Sequence, residues 1–402
     1  MIGSSKIGLR PIRGGGGGAA PNPDFVSTWD TTKAGSASDT VVLPLLSGGT
    51  YSGTIDWGDG SQSVLNYANR THVYSSSGIY TVTLSGTIGG FAFGNSGDKA
   101  KITDISNWGT LDLTNSNAFW GCSNMDVSAT DSPIISTSSL NYTFYLTGLT
   151  DVDLSGWDVS GVTSMEVMFG GCSNFNSNLS SWDVSSVTSM RAMFQSASSF
   201  SGNIDDWDVS SVKNMGDMFR SSTFNTSINS WDVSNVTNMN SMFLSNSAFD
   251  QPLNLWDVSS VTDMNAMFRS STFNQDISSW AVTSLTNVSS MFRNNAGFNQ
   301  PIGAWDTSSI LNFGYMFLSN SAFDQDISNW SVSQATSLIS AFRTMSTANY
   351  DALLIAWDAQ GAMSYSGTVN FGASQYTSGG AAEAARTSLI TKWGGITDGG
   401  AA

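Results

Sequence analysis

The sequence predicts a mainly β repeat protein: a solenoid of short coils, with a β-sandwich before it and an α/β cap after it. Two periodic residues carry the solenoid. Trp157, Trp182, Trp207, Trp231, Trp256, Trp280, Trp305 and Trp330 recur at steps of 24 or 25 residues. Phe169, Phe194, Phe219, Phe243, Phe268, Phe292, Phe317 and Phe342 keep the same step, each preceded by Met except the last, which follows Ala341. A fixed period in this range marks coils that bury their apolar faces only by stacking on one another. A third observation sets the flanks. Before the repeat the chain alternates like strands, and after it the apolar residues fall at helical spacing.

Within one coil, Phe200 to Phe219, the apolar residues are Phe200, Ile204, Trp207, Val209, Val212, Met215, Met218 and Phe219. No single period of 2 or 3.6 fits them, so the coil divides into a strand and a helical turn. The strand is expected around Asn203 to Trp207. A helical or 3₁₀ turn is expected from Val212 to Phe219, with Val212, Met215 and Phe219 on one face. The 24-residue copies lose their residue between Phe219 and Phe224 and between Phe268 and Phe273. That segment reads as a surface loop. Asp158, Asp183, Asp208, Asp232, Asp257 and Asp306 recur with the repeat, giving way to Ala281 and Ser331. A residue that repeats is a scaffold element, here a turn cap, in preference to a cation-binding ladder.

The remaining segments follow in order. Residues 1–23 are a Gly-rich leader carrying Lys6, Arg10 and Arg13; they read either as a flexible lead or as an attachment peptide that orders against a partner. Residues 24–100 read as the sandwich, with turns at Trp57-Gly58-Asp59-Gly60-Ser61. Asp56 and Asp59 are expected to cap turns, with calcium ligation the alternative, and His72, the only histidine, to be structural. Residues 101–156 are degenerate capping repeats: Phe119 and Phe144 hold the register, while Ser132 replaces Trp and Leu140 replaces Met. Residues 157–342 are the regular repeats. Residues 343–402 form the cap, with helices around Leu353, Leu354 and Trp357 and around Leu389, Ile390 and Trp393.

Three stretches carry family resemblances. The phrases WDVSSVTSMRAMF, ending at Phe194, and FNQDISSW, ending at Trp280, resemble the repeat of BspA-like, leucine-rich-repeat-related surface proteins, and most closely the mycoplasma-type lipoprotein repeat also common in marine bacteria and their phages. The resemblance implies a right-handed, leucine-rich-repeat-like solenoid and a surface or adhesion role; it implies no chemistry. The Trp57 to Ser61 turn, with Thr71-His72-Val73-Tyr74 and Gly78-Ile79-Tyr80-Thr81-Val82, resembles a PKD-type sandwich, which implies an extracellular spacer. The C-terminal segment ending in Ile396-Thr397-Asp398-Gly399-Gly400 resembles the cap of marine repeat proteins.

The totals restrict the function. Of 402 residues, 31 are acidic and 15 basic, for a net charge of −16. Glu166 and Glu383 are the only glutamates, so the acidity is Asp, the residue of turns and caps. That balance argues against a nucleic-acid partner. No apolar run is long enough to span a membrane, and the first residues lack the apolar core of a secretory signal. One His, two separated Cys and no nucleophile or phosphate motif argue against an enzyme, a metal centre and a cofactor, leaving only a carboxylate pair for glycan hydrolysis. Cys122 and Cys172 occupy equivalent places two coils apart, with Thr147 between, and are expected to be free thiols.

One position breaks the scaffold. The residue after each repeat Phe is Gly170, Gln195, Arg220, Leu244, Arg269, Arg293, Leu318 and Arg343. Stacking aligns these in a stripe. Either the arginines pair with the loop residues Asp250, Asp276 and Asp326, or the stripe binds an acidic glycan or a protein. The sequence therefore points to a non-enzymatic surface protein. The first expectation is a phage virion component (fibre, spike or decoration protein) anchored by its leader and attached to a host surface glycan or protein. The alternatives are a bacterial secreted or cell-surface adhesin and, last, a carbohydrate-active enzyme. A homo-oligomer is left open.

Overall fold

The computed structural model describes residues 23–342 and 345–402, and the chain is mainly β. The N-terminal part builds one antiparallel sheet from β1 (Phe25–Asp30), β3 (Leu45–Asp56), β4 (Gln62–Val64), β6 (Ile79–Phe91) and β7 (Ile102–Asn107), in the order β4–β3–β6–β1–β7. A two-stranded sheet, β2 (Thr40–Val42) with β5 (Thr71–Val73), lies apart from it in the pairing. Alternation drives β1: Phe25, Ser27 and Trp29 point inward, and Trp29 Nε1 donates to Ser27 Oγ at 2.9 Å. The buried Lys101 ammonium ties the β2 approach to β7. It donates to the carbonyls of Ser36, Ala37 and Thr40 and to Ser36 Oγ, while Asp98 accepts from the Ser36 and Val42 N–H groups.

The sheet passes into the coils without a break. Two short strands, β8 (Leu111–Asp112) and β9 (Asp126–Val127), pair in parallel with β6 and β7. Parallel bridges then climb one residue per coil: Ser139, Ser164, Ser189, Asn214, Asn238, Asp263, Asn287, Asn312 and Ser337. The strand expected around Asn203 to Trp207 is absent. Those residues bend, closing on a Trp207 N–H to Ile204 carbonyl bond of 3.2 Å, and the coil's pairing sits at Asn214 instead.

The expected helical turn also differs. Short i→i+3 bonds run from Met218 to Met215 and from Arg220 to Asp217, but Asp217 and Ser221 are left-handed, with φ of 58° and 54°. The reason lies in the neighbouring coil. Met215, Asp217, Phe219 and Ser221 donate their N–H groups to the carbonyls of Asn238, Asn240, Met242 and Leu244. A left-handed residue at every fourth position keeps every second N–H aimed at the neighbouring coil, which a helix would not. The same four bonds recur at the interfaces whose donors run from Leu140 to Asn294, and three of them continue at Phe313–Phe317, so non-glycine residues such as Tyr142, Val167 and Tyr315 accept positive φ that side chains ordinarily avoid. The columns begin in the β part: Phe93 and Asn95 donate to Ala118 and Trp120. A single column on the Thr side runs the opposite way, from Thr188 to Thr163 and onward by coil.

Rings fill the interior. The repeat Phe residues from Phe144 to Phe317 stack with centroids 5.6–5.8 Å apart. Each from Phe169 to Phe317 also packs on a second Phe of its own coil, as Phe194 does on Phe200 at 4.0 Å. The repeat Trp residues are at most 4 % exposed, as the period predicts. From Trp182 onward each indole N–H donates to a carbonyl 27 or 28 residues back, as Trp256 does to Ile228 at 3.0 Å. Trp is chosen over Phe there because the ring fills the core while its N–H locks the register.

The segment after each repeat Phe is not the surface loop expected from its length changes. Its middle residue points inward: Ser222, Asn246, Ser271, Asn295 and Asn320 are buried, in the place held by Cys122, Thr147 and Cys172. Both cysteines are free, and Thr147 Oγ1 lies 3.2 Å from Cys172 Sγ, so Thr147 stands in the coil before Cys172, as its sequence position implies.

Beyond the coils, α1 (Thr347–Asp358), β10 (Gly367–Asn370), α2 (Ala381–Trp393) and β11 (Gly394–Thr397) form an α/β unit. Phe342 packs on Trp357 at 5.2 Å and on Phe371 at 5.6 Å, and Gln360 bridges the Trp330 carbonyl and the Val332 N–H. Asp398 holds it together, accepting from Arg386 in bidentate fashion and from Tyr350.

Candidate functional site

The stripe predicted after each repeat Phe exists as a row. The carbonyls of Gly170, Gln195, Arg220, Leu244, Arg269, Arg293 and Leu318 all accept from the preceding coil in one column, so their side chains leave the stack along one edge. Arg220, Leu244, Arg269, Arg293 and Leu318 are all half-buried. Arg343 lies outside the described residues, as do Lys6, Arg10 and Arg13 of the leader.

The expected loop partners of the arginines are otherwise engaged. Asp250, Asp276 and Asp326 accept from the N–H groups of Asn274, Ser278 and Ser328, because a short carboxylate next to a turn reaches the backbone first. Arg220 instead pairs with Asp217 of its own coil at 3.2 Å, a partly exposed pair of little energetic weight. The Arg293 guanidinium lies 5.5 Å from the centre of the Tyr315 ring, and its buried Nε has no hydrogen-bond partner among the described residues.

The row extends further toward the N-terminus than the regular repeats. The carbonyls of Trp120 and Tyr145 occupy the same column, which makes these rings its first two members. Their place was readable, since each directly follows Phe119 or Phe144; the loss of Trp and Met landmarks in those copies hid it. Trp120, Tyr142 and Tyr145 are half-buried and pack together with centroids 5.3–5.7 Å apart. Beside them Arg191 donates from Nε to Glu166 Oε2 at 3.2 Å and from Nη2 to the Tyr142 hydroxyl at 3.4 Å. Ser189 Oγ fixes the other Glu166 oxygen at 2.8 Å. Burial opposes the Arg191 charge, but Glu166 and Tyr142 outweigh it and raise the guanidinium pKa.

The other candidate residues resolve into turns and core. In the Asp ladder, Asp208 accepts from Ser210 N–H and Oγ, and these bonds hold its carboxyl below the usual value; Asp158, Asp257 and Asp306 behave alike. Asp56 accepts from Gly58 N–H, and Asp59 from Ser61 and from His72 Nε2 at 2.9 Å. His72 stacks on Trp57 at 4.8 Å. Among the described residues, no three His, Cys, Asp or Glu side chains gather as a metal site, and no helix is long and apolar enough to cross a membrane. Burial pushes the Cys172 thiol up to about 11 and the Cys122 thiol well above its ordinary value, the reverse of a reactive cysteine.

Neither a curated protein nor a solved structure matches the chain. A family model does, described as "Mycoplasma protein of unknown function, DUF285", over residues 91–200, 136–252, 203–296 and 270–376. The matches overlap across the coils and run from Phe91, the last residue of β6, to Tyr376 beyond α1. They cover well over half of the sequence and every coil of the Trp and Phe columns: the chain belongs to the DUF285 family.

Proposed function

We propose that this protein is a non-enzymatic, surface-exposed attachment protein. It is carried on a phage particle as a fibre, spike or decoration protein, and it presents one edge of its coils to a host surface glycan or protein. In this reading the coils are a right-handed, leucine-rich-repeat-like solenoid, the β part is a PKD-like spacer and the C-terminal unit is a cap. Residues 1–23, with Lys6, Arg10 and Arg13, anchor the chain to the parent assembly. The observation that carries the proposal is the row after the repeat Phe residues. Interior positions repeat faithfully because each coil must fit the next. This row instead varies from coil to coil, aromatic at Trp120 and Tyr145 and then a mix of apolar and cationic side chains from Arg220 onward, all along one edge.

Two measurements test it. Antibodies against the folded chain should label the surface of purified particles from the producing culture; labelling of cell envelopes alone would favour the bacterial adhesin. The triple variant Arg220→Ala, Arg269→Ala and Arg293→Ala should bind isolated host envelopes at least about tenfold more weakly than the parent. Unchanged binding would remove the row from the reading.

A further inference from the structure

In a repeat, the side chain that departs from the pattern is the one the scaffold does not need. The carbonyl column two steps from the row, beyond the inward Met column, runs through Asn141, Glu166, Arg191, Gly216, Asn240, Asn265, Ser289, Gly314 and Ile339. Only Glu166 and Arg191 in it are charged. Arg191 reaches Tyr142, which packs on Trp120 and Tyr145, the aromatic members of the row. Two independent departures from the repeat thus meet at one place.

We infer that Trp120, Tyr142, Tyr145, Glu166 and Arg191 form a binding site for a neutral saccharide, one or two hexopyranose units of a surface polysaccharide. The inference rests on the attachment reading and names its ligand. A pyranose offers an apolar face of C–H groups and a rim of hydroxyls, each both donor and acceptor. The half-buried rings supply an apolar surface, edged on the Arg191 side by the Tyr142 hydroxyl. Arg191 and Glu166 supply donors and acceptors side by side, which is what neighbouring hydroxyls need. The site is built before any ligand arrives: Ser189 and Arg191 fix the Glu166 carboxylate, and Tyr142 fixes Arg191. Fixed partners lose little freedom on binding. Gly170 completes it, since a Cβ there would come within 3.0 Å of the Tyr145 ring. Charge selects neutral over acidic sugars. The chain carries −16, and the Arg191 cation is already matched by Glu166.

The test is affinity electrophoresis of the full chain in native gels containing dextran, soluble β-1,3-glucan, galactomannan or, as an acidic comparison, alginate. At least one neutral polymer should retard the protein, and alginate should retard it less. Tyr142→Ala and Arg191→Ala should each raise the apparent Kd about tenfold or more. Asn240→Ala, further along the same column, should leave it unchanged. Melting temperatures keep the readout honest, and Arg191→Ala, at a partly exposed side chain, covers the case in which the Tyr142 variant fails to fold. Retardation that survives both substitutions, retardation by alginate alone, or none in any neutral gel overturns the saccharide. A protein that binds host envelopes but no gel loses only this inference and leaves a protein ligand for the face. One that binds neither loses the attachment reading as well.

Discussion

Asn246 Nδ2 donates to Ser222 Oγ at 3.1 Å across two coils, with both side chains buried. The same amide donates to the Phe224 carbonyl, and its oxygen accepts from the Ala248 and Phe249 N–H groups. Asn295 repeats this with Phe273 and Phe298. In these pairs Ser belongs to the shorter, 24-residue spacing and Asn to the longer link that follows. The side chain supplies the hydrogen bonds that a change in link length leaves open. Asn246→Ala should therefore cost about 1–3 kcal/mol in urea unfolding, the range for orphaning buried polar groups. A midpoint equal to that of the parent would mean that the link relaxes without it.

Large-to-small changes at the Trp column should be severe. Trp256→Ala should cost about 3–5 kcal/mol through the cavity it opens. Trp256→Phe should cost less, about 1 kcal/mol for the lost bond to Ile228 together with the smaller ring. Asn240→Ala, at a partly exposed place, should cost under about 0.5 kcal/mol. Equal destabilisation by all three would contradict the division into inside and outside.

The turn carboxylates set an acid limit. The Ser61 hydroxyl first, then His72 and the Ser61 N–H, lower the Asp59 pKa from 3.8 to about 2. A depressed folded pKa gives stability that is present above the unfolded value and disappears as pH falls through the folded one. The difference in melting temperature between the parent and Asp59→Asn should therefore be constant above about pH 5 and close as pH falls from about 4 toward 2. Calorimetry across that window reads it directly. A gap that widens on acidification would reverse the assigned sign.

Both thiols should be silent in the folded protein. Ellman's reagent should find neither Cys122 nor Cys172 before denaturation and both of them after it. A mobility shift on reduction of the monomer would place them closer than the coil register allows.

On the attachment proposal, deleting residues 1–22 should leave the melting temperature unchanged and abolish incorporation into the parent particle. The sheet begins at Phe25 and the stack at Phe93, so the strands and coils themselves remain in the truncated chain. A truncated chain that still assembles would move the anchor to the β part or to the C-terminal unit.

Inward positions were legible from the sequence because they repeat. The columns of Trp207 and Phe219, the shared place of Cys122 and Cys172, and the helices around Leu353 and Leu389 all follow from spacing. The backbone between them was not legible. Asp217, Ser241, Ala266 and Tyr315 share a left-handed conformation but no side-chain chemistry, so no composition signal marks it. What imposes it is the adjacent coil, which a reading of one repeat leaves out. The aromatic start of the candidate face was hidden for a different reason: Trp120 and Tyr145 sit in copies whose other landmarks have drifted.

The direction of the four columns gives the stack an order of assembly. Every N–H in them points toward a coil that is made later, and the first acceptors are met by Phe93 and Asn95, which are made earlier. A chain leaving the ribosome therefore carries its template ahead of its copies, and each new coil closes the open donors of the one before. Growth has a single live end. The α/β unit, translated after the coils, arrives when Phe342 needs a surface to lie against, so synthesis and the closing of the stack run in the same direction along the molecule.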